Sequence, residues 1–541
     1  MSLIASPTGE DAAAAPPPPP AAASAAAPPL RDVPPSNAGC DGIRVGICTT
    51  LRLPALANGG AASALDSFLR WHLQHLDFAH VFLFFDDPEH DPSLAVAEAW
   101  PSTRVTAVKR DGALRARQAE ECTLWSELGE FYEDEVQARQ SLNAELAVGM
   151  ARARGVTWLL HIDIDELFFT SAPSIAPHFQ RLESSGVSQM TYTNHEAIPE
   201  RSTIGDYFRG ATLFRRHHFE VPMALKARDA MQWWERRTNH GQYMLCYDNG
   251  KSAARVVDGL VPRNVHTWRL PRVDSSVPTT VAADASAADD DTTLQTPPMV
   301  SCTALADPRS LDLSRVLTLP RGEPCILHFV VCGIEWFCAK YRFLGNIPSS
   351  WFGGALPIPP CFHLDSRDAY LASVAATDSD SGCGGSAEDP MSAARAAVRP
   401  FFEAQVLFAP TNVPQHAALR RAHIDAGVLL EIDLVQSALR KLREAARLPG
   451  AELPLPPAAA LAPDAIDNDA EAAAGKTGAA AAPPPAPTAE PAAPSAAAAA
   501  APAPAAFGYD RSWILSSVAR QFLGDQLFQG GSGAAPAKPE P

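Results

Sequence analysis

Three acidic side chains stand inside the stretch WLLHIDIDELFF, residues 158–169. Asp163, Asp165 and Glu166 follow the apolar run Trp158, Leu159, Leu160 and Ile162, and precede Phe168 and Phe169. In an extended segment residues i and i+2 point the same way, so Asp163 and Asp165 can share one target while Ile164 faces a core. Two adjacent carboxylates repel unless a cation neutralises them. Mn2+ (or Mg2+) prefers oxygen ligands and joins protein carboxylates to substrate phosphates, so the spacing points to a nucleotide-diphosphate and metal site. His161 lies two residues before Asp163 and on a regular strand would extend the set to His-x-Asp-x-Asp; the alternative is a hydrogen-bonded core histidine. Lys251 and Arg255 are cations that could neutralise phosphate or simply meet solvent.

The elements that must hold these acids can be placed by periodicity. RVGICTT (44–50), HVFLFF (80–85), RVTAVKR (104–110) and VTWLLHI (156–162) read as strands. Between them, Leu65, Phe68, Leu69, Leu73 and Leu76 fall on one helical face, and Leu142, Leu146 and Met150 fall on another, in a helix that closes at Gly155. Strands alternating with helices predict an α/β fold with a mostly parallel sheet covered on both faces. Ligands of such sheets bind outside the carboxyl ends of the strands. There the chain places Thr49, Thr50 and Arg52, then Asp86 and Asp87, then Lys109, Arg110 and Asp111, and finally Asp163, Asp165 and Glu166. Parallel neighbours would crowd all of them onto one rim.

Of the 541 residues, 46% are hydrophobic, but many of these are alanines in tracts shared with the 50 prolines. Such tracts cannot bury enough apolar surface to fold. Residues 1–40, 449–506 and 530–541 therefore read as disordered tail, linker and tail, and 273–300 and 374–396 as flexible insertions. They flank or interrupt a catalytic-domain-sized body over 41–448. Ile514, Val518, Phe522 and Leu523 approach helical spacing and predict a short amphipathic helix over 507–529, docking on the body or on a partner. A net charge of −17 argues against nucleic acid as a partner. The ten cysteines form no C-x2-C pair, so they read as scattered thiols. No signal peptide or apolar stretch of membrane-spanning length stands out, and the chain reads as soluble and cytoplasmic by default.

WLLHIDIDELFF resembles the strand and Asp-x-Asp-Glu-Phe signature of glycosyltransferase family 92 and related family 2-like transferases of the GT-A fold. ICTTLR and DSFLRWHLQHLDFAHVFLFFDD are similar to segments of that family in the same order, as are GKSAARV, VPRNVHTW and CILHFVVCGIEWFCAKYRFLG. The likeness spans residues 44–350; Leu167 stands where the family has Phe, and the family's N-terminal membrane anchor, which places its members in the secretory pathway, is not seen. The resemblance implies a GT-A-like, Rossmann-like sheet and inverting, metal-dependent transfer of a sugar from a nucleotide-sugar donor to a glycan or other hydroxyl acceptor. By position, Asp163 and Asp165 would hold Mn2+ and the donor diphosphate, with His266 or His328 as a third metal ligand or diphosphate contact. Thr50, Arg52 and Asp86 would lie near the nucleoside, and Lys251 near the donor phosphate.

Transfer breaks a sugar–phosphate bond, with oxocarbenium character on the sugar and negative charge on the departing diphosphate, so positive charge beside the diphosphate favours the transition state. An inverting displacement also needs a base for the acceptor hydroxyl. Glu196, beside His195 in TYTNHEAIPE, is the candidate for that base, against the simpler reading of a solvated loop carboxylate. Two other classes compete. Haloacid-dehalogenase-type phosphatases also place Asp-x-Asp after an apolar strand, but their strand comes first and they expect Thr or Val where this chain has Leu167. A non-catalytic carbohydrate- or nucleotide-binding protein on the same fold is the other alternative.

Overall fold

The computed structural model describes residues 42–56, 59–271, 316–318, 324–343, 349–352, 356–380, 390–408 and 413–448. The tail over 1–40, the insertion over 273–300, the linker, the 507–529 helix and the final tail fall outside the described residues.

The first strands are apolar on both faces, and both faces are covered. Strand β1 (Val45–Leu51) is buried at all seven positions and β2 (His80–Phe85) at all six. Along β2 the side chains alternate: Val81, Leu83 and Phe85 join one core with Leu65, Phe68 and Leu69, while Phe82 and Phe84 join a second core with Leu142, Leu146 and Ala147. The period of two sends alternate residues to opposite faces. One face is covered by the Gly60–Leu69 helix with its π-helical continuation Arg70–His75, the other by the Val136–Ala153 helix. Gly155 ends the latter at φ +68°, as its position after the last apolar repeat predicts.

Strand β3 (Val105–Lys109) lies parallel to β2, and β4 (Trp158–His161) parallel to β1. With β6 (Gln189–Tyr192), β9 (Lys251–Arg255) and the Val316–Thr318 strand they complete a seven-stranded sheet. Its order is Val316–Thr318, β6, β9, β4, β1, β2, β3. The sheet is mostly parallel, as expected, except that β9 runs antiparallel to both β4 and β6.

A second sheet was not foreseen. It contains β5 (Glu166–Phe169), β7 (Asn194–Ile198) and β8 (Leu213–Arg215), with the Cys325–His328 and Leu429–Glu431 strands. Its strands are three to five residues long, too short for a periodic pattern. Among the described strands the chain passes from the first sheet to the second three times: from β4 to β5 through residues 162–165, from β6 to β7 through Thr193, and from the Val316–Thr318 strand to the Cys325–His328 strand. The edge strand β5 is fastened from outside the sheet: Trp71 Nε1 donates to the Phe168 carbonyl at 2.8 Å, and the Phe168 amide donates to His72 Nε2 at 3.2 Å.

The expected flexible insertion over 374–396 has helical ends. Residues up to Asp380 belong to the Phe362–Asp380 helix and those from Pro390 to the Pro390–Gln405 helix, leaving only 381–389 outside the described residues. Alanine is the best helix former, so an Ala-rich segment with apolar anchors nearby folds as helix rather than as linker. Among the described residues no helix is long and apolar enough to cross a membrane, and no disulfide forms among the described cysteines.

Gly250, at φ +67°, enters β9 so close to β6 that a Cβ would lie 2.1 Å from the Tyr192 carbonyl oxygen. Gly155 has a similar φ of +68° but open space around the Cβ position. Gly155→Ala should therefore cost about 1 kcal/mol, the left-handed penalty alone, and Gly250→Ala about 3 kcal/mol or more. Denaturant titration of both variants checks this, and equal losses would remove the close approach as the reason for glycine at 250.

Candidate functional site

The sequence places the three acids at the end of a strand; the structure places them on the turn that carries the chain between the sheets. Strand β4 stops at His161, and β5 begins at Glu166. The Glu166 amide donates to the Asp163 carbonyl at 3.1 Å, and Glu166 Oε2 accepts the Asp163 amide at 2.7 Å. Glu166, fully buried, is thus the brace of the turn. Burial pushes its carboxyl well above the usual range despite Lys251 nearby. Because residues 163–165 are not extended, the two aspartates do not converge on one point.

Each aspartate instead meets its own lysine. Lys251 Nζ lies 2.7 Å from Asp163 Oδ2, and Lys340 Nζ lies 3.0 Å from Asp165 Oδ2. The other Asp163 oxygen accepts from Gln140 Nε2 at 2.8 Å. Burial alone would raise the Asp163 carboxyl, but Lys251 overrides it and holds Asp163 well below the ordinary carboxylate range. Burial would likewise lower both ammonium groups, yet the facing carboxylates, Asp163 with Glu166 for Lys251 and Asp165 for Lys340, raise them. Both lysines are charged at neutral pH.

Three imidazoles surround the pairs. His266 Nδ1 bonds the Gly250 carbonyl at 2.8 Å, and His328 Nε2 lies 3.9 Å from Asp165. His161 Nε2 and His328 Nδ1 are buried without a hydrogen-bond partner. The rings of His266 and His328 pack on Tyr247, with centroids 4.7 and 4.8 Å away. Burial lowers His161 to about 4, His266 to about 3 and His328 to about 4, so all three are neutral near pH 7.

The expected divalent cation does not fit this arrangement. Both Asp163 oxygens and Asp165 Oδ2 are engaged by lysine or glutamine, and among the described residues no three His, Cys, Asp or Glu side chains are grouped to hold a metal ion. The expected metal set of Asp163, Asp165 and His266 or His328 gathers around this turn, with the two aspartates on separate lysines. Its premise was an extended segment, and a turn turns the two acids to different partners.

The other rim residues gather as expected, but largely against each other. The Val136–Ala153 helix supplies Asn143, whose amide donates to Thr50 Oγ1 at 2.8 Å, and Arg139, which forks onto both Asp86 oxygens at 2.5 and 2.9 Å. Arg52 pairs with Asp87 at 2.9 Å and lies over the Phe343 ring at 4.3 Å, with its side chain 41% exposed. Asp111 caps the following helix. Arg255 sits at the opposite end of β9, beside Glu183. Glu196, the candidate base, lies on β7 rather than on a solvated loop and is 1% exposed. Its two oxygens accept the Leu245 and Cys246 amides at 2.8 and 2.9 Å. Lys340 was missed as a site residue; it is 175 residues from Asp165 in sequence, and its one signal was its place in the segment CILHFVVCGIEWFCAKYRFLG.

No protein-family model matches the chain. Two Arabidopsis thaliana proteins named glycosyltransferase-like, At2g41451 and At3g57200, are 29% identical over 218 residues and 28% identical over 221 residues. Each match covers 38% of this chain, and 47% and 41% of the respective relatives. The chain thus spans about half the length of the curated relatives it matches. Among solved structures, core-mannan synthase A from Aspergillus fumigatus in its Mn/GDP form is 10% identical with a TM-score of 0.20, covering 31% of this chain and 46% of that one. Mouse xyloside xylosyltransferase 1 in its apo form is 16% identical with a TM-score of 0.18, covering 28% and 51%. Likeness that slight carries no argument about activity.

The neutral imidazoles set a pH dependence. In the unfolded chain a histidine titrates near about 6.5, so below that pH the unfolded state binds protons that the folded state refuses. Stability is full above about pH 6.5 and falls as pH drops toward 4, by up to about 1.4 kcal/mol per pH unit for each imidazole. His328→Gln should make the fall in Tm between pH 7 and pH 5 shallower; a slope identical to the parent protein would exclude His328 as a contributor.

Proposed function

We propose that this chain is a glycosyltransferase that moves a sugar from a nucleotide-sugar donor to a hydroxyl acceptor, with the donor diphosphate at the Asp163–Glu166 turn. The observation that carries the reading is the rim itself, where carboxylate–ammonium pairs stand at the carboxyl end of a parallel sheet, the place where such sheets bind ligands. Similarity to two proteins named glycosyltransferase-like supports it. The reading takes its specific donor chemistry from the resemblance of WLLHIDIDELFF to the family 92 signature.

The chemistry suits the residues present. The leaving diphosphate gains negative charge as the glycosidic bond stretches, and charged N–H donors held beside it stabilise that change more than they stabilise the ground state. Asp163, Asp165 and Glu166 keep the ammonium groups oriented without freedom to reorganise. Arg52, on the same rim and half exposed, is placed to meet the nucleotide end.

The test is transfer and nucleoside-diphosphate release from a panel of UDP- and GDP-sugars, measured on the full chain and on Asp165→Asn. Asp165 is the less risky choice, since Asp163 neutralises a wholly buried lysine. The variant should lose about 100-fold in turnover, the scale for removing one element of a preorganised charge array, with Tm held within a few degrees. Full activity in Asp165→Asn would sink the reading. Stabilisation by nucleotide-sugars without turnover would favour the non-catalytic binding protein instead.

A further inference from the structure

The motif that the sequence assigns to a metal is, in the structure, already neutralised by the chain. We infer that Lys251 and Lys340 together take the charge-balancing place of a divalent cation at Asp163 and Asp165, so that this protein binds a nucleoside diphosphate without metal, and that Lys340 is the ammonium that meets the phosphate oxygens. The inference rests on the nucleotide-donor reading above and adds to it the identity of the cation.

The two lysines are not equivalent. Lys251 has no exposed side-chain surface, and its ammonium is surrounded by Asp163 Oδ2 at 2.7 Å, the Val265 carbonyl at 3.3 Å and Glu166 Oε2 at 3.6 Å. An ammonium has three protons, and three acceptors surround this one, so Lys251 is a positioning residue that fixes the turn. Lys340 is 25% exposed and has Asp165 Oδ2 at 3.0 Å and the Val330 carbonyl at 3.5 Å. That leaves one N–H without an acceptor among the described residues. Asp163 and Asp165 are themselves partly open, at 28% and 19% side-chain exposure.

Charge balance follows. Lys251 Nζ lies 2.7 Å from Asp163 and Lys340 Nζ lies 3.0 Å from Asp165, so each of the two aspartates is matched by its own ammonium group. Without the lysines a diphosphate would approach two bare negative charges; with them it finds oriented donors and no net repulsion. A metal ion at Asp163 and Asp165 would crowd positive charge against Lys340 and against the wholly buried Lys251. Arg52 adds a further cation on this side: its guanidinium lies over the ring of Phe343, three residues beyond Lys340 on the same helix.

The test is calorimetric titration of the full chain with UDP and with GDP, in excess EDTA and then with Mn2+, on the parent protein, Lys340→Met and Lys340→Arg. Methionine keeps the stem and removes the charge; arginine restores it. Expected is binding in EDTA within about twofold of that with Mn2+, a loss of about tenfold or more in Lys340→Met at unchanged Tm, the scale of one charge-assisted hydrogen bond, and recovery in Lys340→Arg. Binding of either nucleotide only when Mn2+ is present would overturn the inference and leave the proposed function standing. Lys340→Met binding as tightly as the parent would also overturn it. Absence of binding to both nucleotides under both conditions would remove the nucleotide-donor reading and this inference with it.

Discussion

The buried Lys251 ammonium is the interaction on which the site depends. An isolated charge in an apolar interior is strongly unfavourable, so a wholly buried lysine obliges the fold to bring carboxylates to it. Asp163, just beyond the last strand residue of β4, and Glu166, the first residue of β5, both meet that need. Lys251 begins β9 of the first sheet and Glu166 begins β5 of the second, so one ammonium ties the two sheets together at the point where the chain passes between them. The passage is therefore a defined turn rather than a hinge. Gly250 is part of the same constraint, because only a residue without a Cβ lets β9 start close enough to Tyr192 for Lys251 to reach inward.

One helix reads the ends of three strands. Along Val136–Ala153, Arg139 holds Asp86 after β2, Gln140 holds Asp163 after β4, and Asn143 holds Thr50 within β1. Residues three and four apart, as Gln140 and Arg139 are from Asn143, lie on the same helical flank, and parallel strands finish at a common rim, so a single helix crossing that rim can satisfy all three. Asp86 is thereby consumed by a fork-like pair with Arg139, and the exposed part of the rim moves toward Arg52 and the aspartate turn. Charge at this edge is fixed before any ligand arrives.

Much of this was legible in the sequence, and the rest fails for physical reasons. The strands over 45–51, 80–85 and 105–109 and their covering helices follow from uninterrupted apolar runs and helical spacing at Leu65, Phe68, Leu142 and Leu146, which local periodicity records directly. The rim follows from topology, since parallel strands with right-handed crossovers end on one side. The second sheet does not, because its strands are too short for periodicity and pair over long sequence separations, as Glu166 does with His328. Spacing also misled at Asp163 and Asp165: the i, i+2 argument holds for an extended chain, and these residues form a turn. Lys340 could not be paired with Asp165 by any local rule.

The parts that were misread turn out to position the parts that were read. Lys340 rides on the Ile334–Phe343 helix, whose Ile334, Phe337 and Tyr341 pack in an apolar cluster with Phe362, Val398 and Phe402. Those partners come from the helical pair whose facing ends the sequence presents as a flexible insertion. Leu245 belongs to the same cluster, and its amide is held by Glu196, which the sequence offered as a base. Glu196 in turn lies 3.6 Å from the buried Arg215, whose guanidinium stacks over Trp234. With both oxygens on backbone amides and a cation behind it, the carboxylate ties that segment to β7. Its work is to keep Leu245 in place, the cluster closed and the Lys340 helix at the distance from Asp165 that the site requires.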